Sequence, residues 1–219
     1  MGQVLTGATG QNPARQAAIL GGMPIEKTAY IINQVCGSGL RAVAAAYQSI
    51  ISNDSKIVIA GGQESMTNAP HAVHYRKDKK LNETNLIDTM IKDGLWDAFN
   101  GYHMGVTAEN VASKWEITRK DQDDFALSSQ LKTEKAQKNG NFKDEIISLS
   151  LKNNGQNNKF EIDEHPRNGM TSERLAKLKP SFKDNGTVTP GNASGINDGA
   201  AAVLLMNEEE SIKRNLKPL

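Results

Sequence analysis

The sequence predicts an α/β fold: an open sheet layered with helices and interrupted by an inserted α+β segment. Three observations carry that reading. They are a strand, turn, helix and strand in succession across residues 28–60, a polar stretch from Glu64 to Gly195, and a second apolar run at residues 200–206. A strand followed by a helix and another strand is a βαβ unit, so its strands are expected to run parallel with a right-handed crossover.

The elements follow in chain order. Met1-Gly2-Gln3-Val4-Leu5 reads as the tail of a strand entering a Gly-rich turn. Asn12 stands at an N-cap position, Pro13 suits the first helical position, and Gly21-Gly22 supply a stop, so a short Ala-rich helix is predicted over 13–20. The β-branched run at 28–35 reads as a buried strand. Leu40, Val43, Ala44, Tyr47 and Ile51 then fall on one face of a helix that Asn53-Asp54 ends. Residues 56–60 form the next buried strand, closed by Gly61-Gly62. Within the polar stretch, Thr107 or Thr118 caps helices at 108–115 and 119–138, with Val111 and Phe125 expected to face inward. Residues 146–151 and 159–162 are set to pair as a hairpin across a loop holding Asn154-Gly155. The run at 200–206 reads as a returning buried strand and is assigned to the first sheet.

Composition narrows the function classes. Lys and Arg total 26 against 25 Asp and Glu, a net charge of +1, so no global field holds nucleic acid or an acidic membrane. No apolar run approaches the roughly 20 residues of a membrane span, and residues 1–16 lack the pattern of a signal peptide, so a cytoplasmic protein is expected. A single cysteine excludes an intramolecular disulfide, and four scattered histidines argue against a structural zinc site, so no metal is expected. Gly7-Ala8-Thr9-Gly10-Gln11-Asn12 has no Lys-Ser/Thr pair and is not a phosphate-cradling loop. Trp96 and Trp115 lack the basic, aromatic-interleaved setting of a nucleic-acid platform.

The solitary thiol, Cys36, stands where a strand ends and a helix begins, within Asn33-Gln34-Val35-Cys36-Gly37-Ser38-Gly39. Unpaired N–H groups and the positive end of the helix dipole suit an anionic nucleophile at such a junction. Gly37 and Gly39 leave room for a substrate carbonyl, and the Cys36 N–H is placed to donate to an oxyanion. From these residues alone a small buried core cysteine is the competing reading.

Together with Gly61-Gly62-Gln63-Glu64-Ser65-Met66 and the stretch Gly191-Asn192-Ala193-Ser194-Gly195-Ile196-Asn197-Asp198-Gly199-Ala200-Ala201, this segment resembles the thiolase family. Gly101-Tyr102-His103-Met104-Gly105 is similar to its short-chain, biosynthetic branch, the acetyl-CoA C-acetyltransferases. The resemblance implies a thiolase-like layered αβαβα fold and condensation of two acetyl-CoA molecules to acetoacetyl-CoA and CoA, reversed by thiolysis. It implies no tightly bound cofactor, CoA thioesters as substrates, and a homo-oligomer, dimer or tetramer. It matches Cys36 to the acylated nucleophile. It implies that Leu95, His103, Met104, Phe182 and Ser194 line the adenine and pantetheine path of CoA, with Arg167 at the nucleotide end, although by residues alone His103 and Met104 also read as packing, Ser194 as a turn and Arg167 as solvated surface. Pro190 and Arg174 depart from residues common in relatives.

By the same resemblance, residues 1–65 belong to an N-terminal domain whose first strand and helix are missing, 66–196 to a CoA-binding loop domain, and 197–219 to the returning N-terminal domain. The second cysteine and the N-E-A-F-A, G-H-P and C-x-G-G-G motifs of the family's C-terminal half are not in the sequence, so the chain reads as a partial subunit expected to be inactive alone. Arg76-Lys77-Asp78-Lys79-Lys80 reads as a solvated loop, or, by resemblance, lies near a tetramerisation contact. Two alternatives stay open: a β-ketoacyl-synthase-like condensing enzyme, against which the residues from Gly191 to Ala201 and the large insertion speak, and a non-catalytic remnant that binds CoA or a full-length subunit.

Overall fold

The computed structural model describes residues 1–74, 85–153 and 156–219. The charge run Arg76–Lys80 and the Asn154-Gly155 loop lie outside the described residues. Along the chain run α1 (Pro13–Leu20), α2 (Ser38–Ile51), β1 (Ile57–Glu64), the short β2 (His71–Ala72) and β3 (Ile87–Asp88), and a π-helical turn (Met90–Leu95). There follow α3 (Met104–Lys114), α4 (Arg119–Lys138), β4 (Leu149–Asn153), β5 (Gln156–Phe160), α5 (Ser172–Ala176), β6 (Gly199–Met206) and α6 (Glu208–Lys213). These form two compact units, Met1–Trp96 with Ile196–Leu219, and Asp97–Gly195. The described residues 66–74 and 85–96, read from the sequence as part of the insertion, fall within the first unit. Among the described residues no helix is long and apolar enough to cross a membrane.

In the first unit β1 and β6 pair antiparallel, from Ile57 opposite Met206 to Glu64 opposite Gly199. The ladder runs close at Gly61, where a Cβ would stand 2.0 Å from the Ala201 carbonyl oxygen, so only glycine fits. On the other side of β1 the chain start is threaded in parallel: Gly2 N donates to Gly61 O at 2.7 Å and Ile32 N donates to Met1 O at 2.9 Å. Gly2 bridges both Ile32 and Gly62 in parallel, so the segment before α2 and the strand after it share a direction, as a βαβ unit requires. The run at 28–35 is nevertheless not a regular strand. Its neighbour in the ladder is the short segment Met1–Gln3, which satisfies the backbone around Ile32 and leaves Tyr30 exposed.

α1 has the predicted bounds, with Asn12 Oδ1 accepting from Arg15 N at 3.2 Å. α2 also lies where its period placed it, and its small residues form the buried face. Ser38, Ala42 and Ala46, spaced one turn apart, are buried, whereas Leu40, Tyr47 and Ile51 are 78%, 59% and 60% exposed. Small side chains let the helix axis approach, and the large apolar ones project from the far side of the helix.

The second unit has a small core of Ala112, Leu175 and Val188 joined to a buried polar network. Glu109, buried on α3, accepts from Thr187 N and Val188 N, each at 2.8 Å through Oε1, and from the Thr187 hydroxyl at 2.9 Å. Arg119 donates to Asp123 Oδ2 at 2.8 Å and to the Leu175 and Leu178 carbonyls at 2.7 and 3.1 Å. Asn192, from the last sequence motif, donates to Asp123 Oδ1 and Thr187 O and accepts from Thr189 N at 2.7 Å.

Two expectations here are corrected. α3 begins at Met104 rather than near 108, because the His103 ring, not Thr107, accepts from the first turn. Val111 and Phe125 do not face inward: Phe125 is 80% exposed, since Gly105, Glu109 and Ala112 form the buried face of α3 and Asp123 is the buried residue of α4. α4 itself matches, with a Thr118–Asp121 capping box, and β4 pairs with β5 as the expected hairpin.

Burial pushes the Glu109 carboxyl up, but hydrogen bonds from Val188 and Thr187, with the charge of Lys183, overcome it and hold it below the usual range. A lowered carboxyl stabilises the fold above its ordinary value near 4.3 and loses that contribution as pH falls through the lower folded value. Glu109→Gln is expected to destabilise the chain by about 1–3 kcal/mol at pH 7, because a buried N–H loses its acceptor. Urea unfolding from pH 7 to pH 3 checks it: the gap between variant and wild type narrows toward acid.

Candidate active site around Cys36

Cys36 is exposed and terminates the turn that leads into α2. The residue before it, Val35, has φ +49°. A β-branched side chain in the left-handed region clashes with its own backbone, a conformation that costs about 1–3 kcal/mol and persists only where neighbours enforce it. Here they do. Val35 N donates to Asn33 Oδ1 at 3.0 Å, Val35 O accepts from Ser38 N at 3.1 Å and from the Ser38 hydroxyl at 2.6 Å, and Gln34 N donates to Ser38 Oγ at 2.8 Å. Among the described residues the Cys36 N–H has no protein acceptor. The sulfur therefore sits at a helix start beside a free amide donor, and the core-cysteine reading falls away.

The thiol opens on a cleft of about 540 Å³ lined also by Gly39, Gly62, Glu64, Met66 and Leu95. Gly2 permits its close floor: a Cβ there would stand 2.4 Å from the Gly39 nitrogen. Glu64 is the carboxylate on the cleft wall, yet both its oxygens are engaged, accepting from Val4 N at 2.9 Å and Leu5 N at 3.0 Å. It ties the chain start to the end of β1. Among the described residues no histidine lines the cleft.

Two motifs far apart in sequence meet beside it. Asp198 accepts from Thr67 N at 2.9 Å and from Ser65 Oγ at 3.2 Å, and these bonds, the Thr67 N–H foremost, hold its carboxyl below the usual range. Sequence reading named both motifs without finding this tether.

Of the residues predicted to line a CoA path, Leu95 shares the Cys36 cleft. In the second unit His103 and Phe182 stack, ring centroids 4.8 Å apart and planes 19° from parallel. His103 Nδ1 accepts from Gly105 N at 3.0 Å, which caps α3 and assigns the ring proton to Nε2. Met104 follows, partly exposed. Arg167 is exposed: its backbone N donates to Gln130 Oε1 at 2.8 Å, and its guanidinium reaches Glu164 O at 3.4 Å. Ser194 is exposed beside its glycine. Neither Arg167 nor Ser194 is joined by hydrogen bonds to the His103–Phe182 pair.

An exposed thiol on an open cleft, at a strained turn into a helix, is the kind of place a nucleophile occupies. The family model "Thiolase, N-terminal domain" matches residues 1–209, and the chain belongs to the thiolase family. It is 57% identical to the acetyl-CoA acetyltransferase of Paracoccus denitrificans over 219 residues, all of this chain and 56% of that protein. It is 52% identical over 220 residues to a probable acetyl-CoA acetyltransferase of Escherichia coli, again 56% of its length. The crystal structure of the Bacillus anthracis acetyl-CoA acetyltransferase superposes with a TM-score of 0.94 at 39% identity, over all of this chain and 56% of that one. The fold is that of a thiolase N-terminal half, and the chain spans little more than half the length of these relatives.

The residue that sequence reasoning passed over is Gly105. A Cβ there would lie 2.2 Å from the Phe182 ring, so glycine is what lets the stacked pair seat against α3. Its only sequence signal is its place directly after His103-Met104 in a helix's first turn. Gly105→Ala is expected to displace Phe182 and lower stability by about 1–3 kcal/mol, read as a fall in the urea midpoint.

Proposed function

We propose that this chain carries the acylation half of an acetyl-CoA acetyltransferase, with Cys36 as nucleophile and acyl carrier. The Cys36 sulfur attacks the thioester carbonyl of acetyl-CoA, the new S–C bond forms as the bond to the CoA sulfur breaks, and CoA departs as a thiolate that takes up a proton. The unengaged Cys36 N–H supplies a donor to the carbonyl oxygen as charge develops there. A second acetyl-CoA, deprotonated at its α-carbon, then attacks the acetyl group, giving acetoacetyl-CoA and returning Cys36. Thiolysis runs the same steps in reverse.

The second step needs a general base. Cys36 is the only cysteine, and both Glu64 oxygens are occupied by backbone donors. The proposal therefore assigns the base to the portion of the relatives that this chain does not span. Leu95, His103, Met104, Phe182 and Ser194 are proposed to receive the pantetheine and adenine of CoA, with Arg167 toward its phosphates, where a guanidinium both pairs and stacks. A cytoplasmic setting, expected from the sequence pattern, and a homo-oligomer, dimer or tetramer, implied by the family resemblance, belong to the same proposal.

The observation that carries the reading is the exposed Cys36 beside an open cleft within a family motif. Intact-mass measurement after exposure to acetyl-CoA tests it. One added acetyl group is expected on the wild-type chain and none on Cys36→Ala, with no acetoacetyl-CoA formed by the isolated chain. A wild type that binds CoA without gaining the acetyl group overturns the acyl-carrier reading in favour of a binding role.

A further inference from the structure

Ser38 is the first residue of α2, yet its hydroxyl does not serve the helix. The N-cap is Gly37, which makes no side-chain cap, and the Ser38 side chain turns backward instead, away from the unpaired N–H groups of the first turn. It donates to Val35 O at 2.6 Å and accepts from Gln34 N at 2.8 Å, so one oxygen clasps the two peptides that bracket Gln34 and Val35. The residue is 4% exposed, so water has little room to replace these bonds. Its backbone is held as well, because Gly2 lies against Ser38 so closely that a Cβ would come within 2.4 Å.

Resting on the reading of Cys36 as acyl carrier, we infer that Ser38 is a positioning residue: its hydroxyl holds Val35 in the left-handed conformation and thereby aims the Cys36 side chain at the cleft. The connection is geometric. Cys36 follows Val35 directly, so a return of Val35 to negative φ rotates the intervening peptide and swings the Cα–Cβ bond of Cys36. Asn33 Oδ1 and Ser38 N each make one bond to Val35. Only the Ser38 hydroxyl bridges Val35 and Gln34 among the described residues. Attack on a thioester demands that the sulfur, the carbonyl carbon and the oxyanion donor be aligned, which small rotations destroy.

The single cysteine makes the test clean. A trifluoroacetonyl label on Cys36 reports sulfur placement by fluorine NMR, and mass spectrometry reports acetylation by acetyl-CoA. Wild type is expected to give one narrow resonance. Ser38→Ala is expected to shift or split it, and to slow acetylation at saturating acetyl-CoA about tenfold with unchanged half-saturation. Ser38→Thr, which keeps the hydroxyl, is expected to restore both readouts. Coincident resonances for wild type and S38A overturn the inference, as does an S38T chain that is displaced like S38A or no longer folds. If circular dichroism finds S38A unfolded, S38T decides alone by the same criterion. A wild type that accepts no acetyl group defeats the acyl-carrier reading, and the resonances then judge Ser38 by themselves.

Discussion

The left-handed turn at Val35 is the constraint on which the site depends. A β-branched residue does not adopt that conformation unaided, and it is kept there by Asn33 in front and Ser38 behind. The direction in which the chain leaves this turn sets the start of α2, and that start places Cys36 beside an unengaged amide at the mouth of the cleft. Close approach of Gly2 to Ser38, and of Gly61 to Ala201, lets the chain start, α2 and the β1–β6 ladder converge on the same few ångströms. Local strain and tight packing are thus two aspects of one arrangement, in which rigid surroundings keep Val35 in an otherwise costly conformation directly before Cys36.

The two units solve different packing problems. In the first, small residues at positions 38, 42 and 46 form the buried face of α2, and its large apolar side chains point away. In the second, little hydrocarbon is buried and a polar network of Glu109, Thr187, Asp123, Arg119 and Asn192 takes its place. Such a network is strong when every member is satisfied and weak when one is lost, because the remaining donors stay buried without water. The Gly191-Asn192 portion of a motif first noticed for its family likeness therefore has a plain structural duty: Asn192 joins α4 to the loop at 187–189.

Much of the local architecture was legible in the residues. Asn12 with Pro13, Thr118 with Asp121, and the apolar run at 200–206 specify α1, α4 and β6 through capping chemistry and side-chain period, which act within a few residues, although β6, read as a buried strand, is largely exposed. Errors arose where the outcome depended on something distant. The run at 28–35 has strand composition, but its ladder neighbour is only the short segment at Met1–Gln3. The period of α2 locates an apolar stripe without saying which layer meets it, and Leu40, Tyr47 and Ile51 of that stripe are exposed. Phe125 was assigned inward on the same ground and is exposed.

By itself the sequence determined the α/β class, the bounds of α1 and α4 set by their caps, the lone cysteine at the start of a helix and the three motifs of the family. These are properties of neighbouring residues and of residue identity, so no coordinates are needed to read them. Only the tertiary structure decided that Val35 is left-handed, that Glu64 is occupied by backbone donors, that Asp198 tethers Ser65 and Thr67, and that Gly105 makes way for Phe182. Each of those depends on a partner distant in the chain or on a backbone angle enforced from outside, and such partners are chosen by how the chain closes on itself.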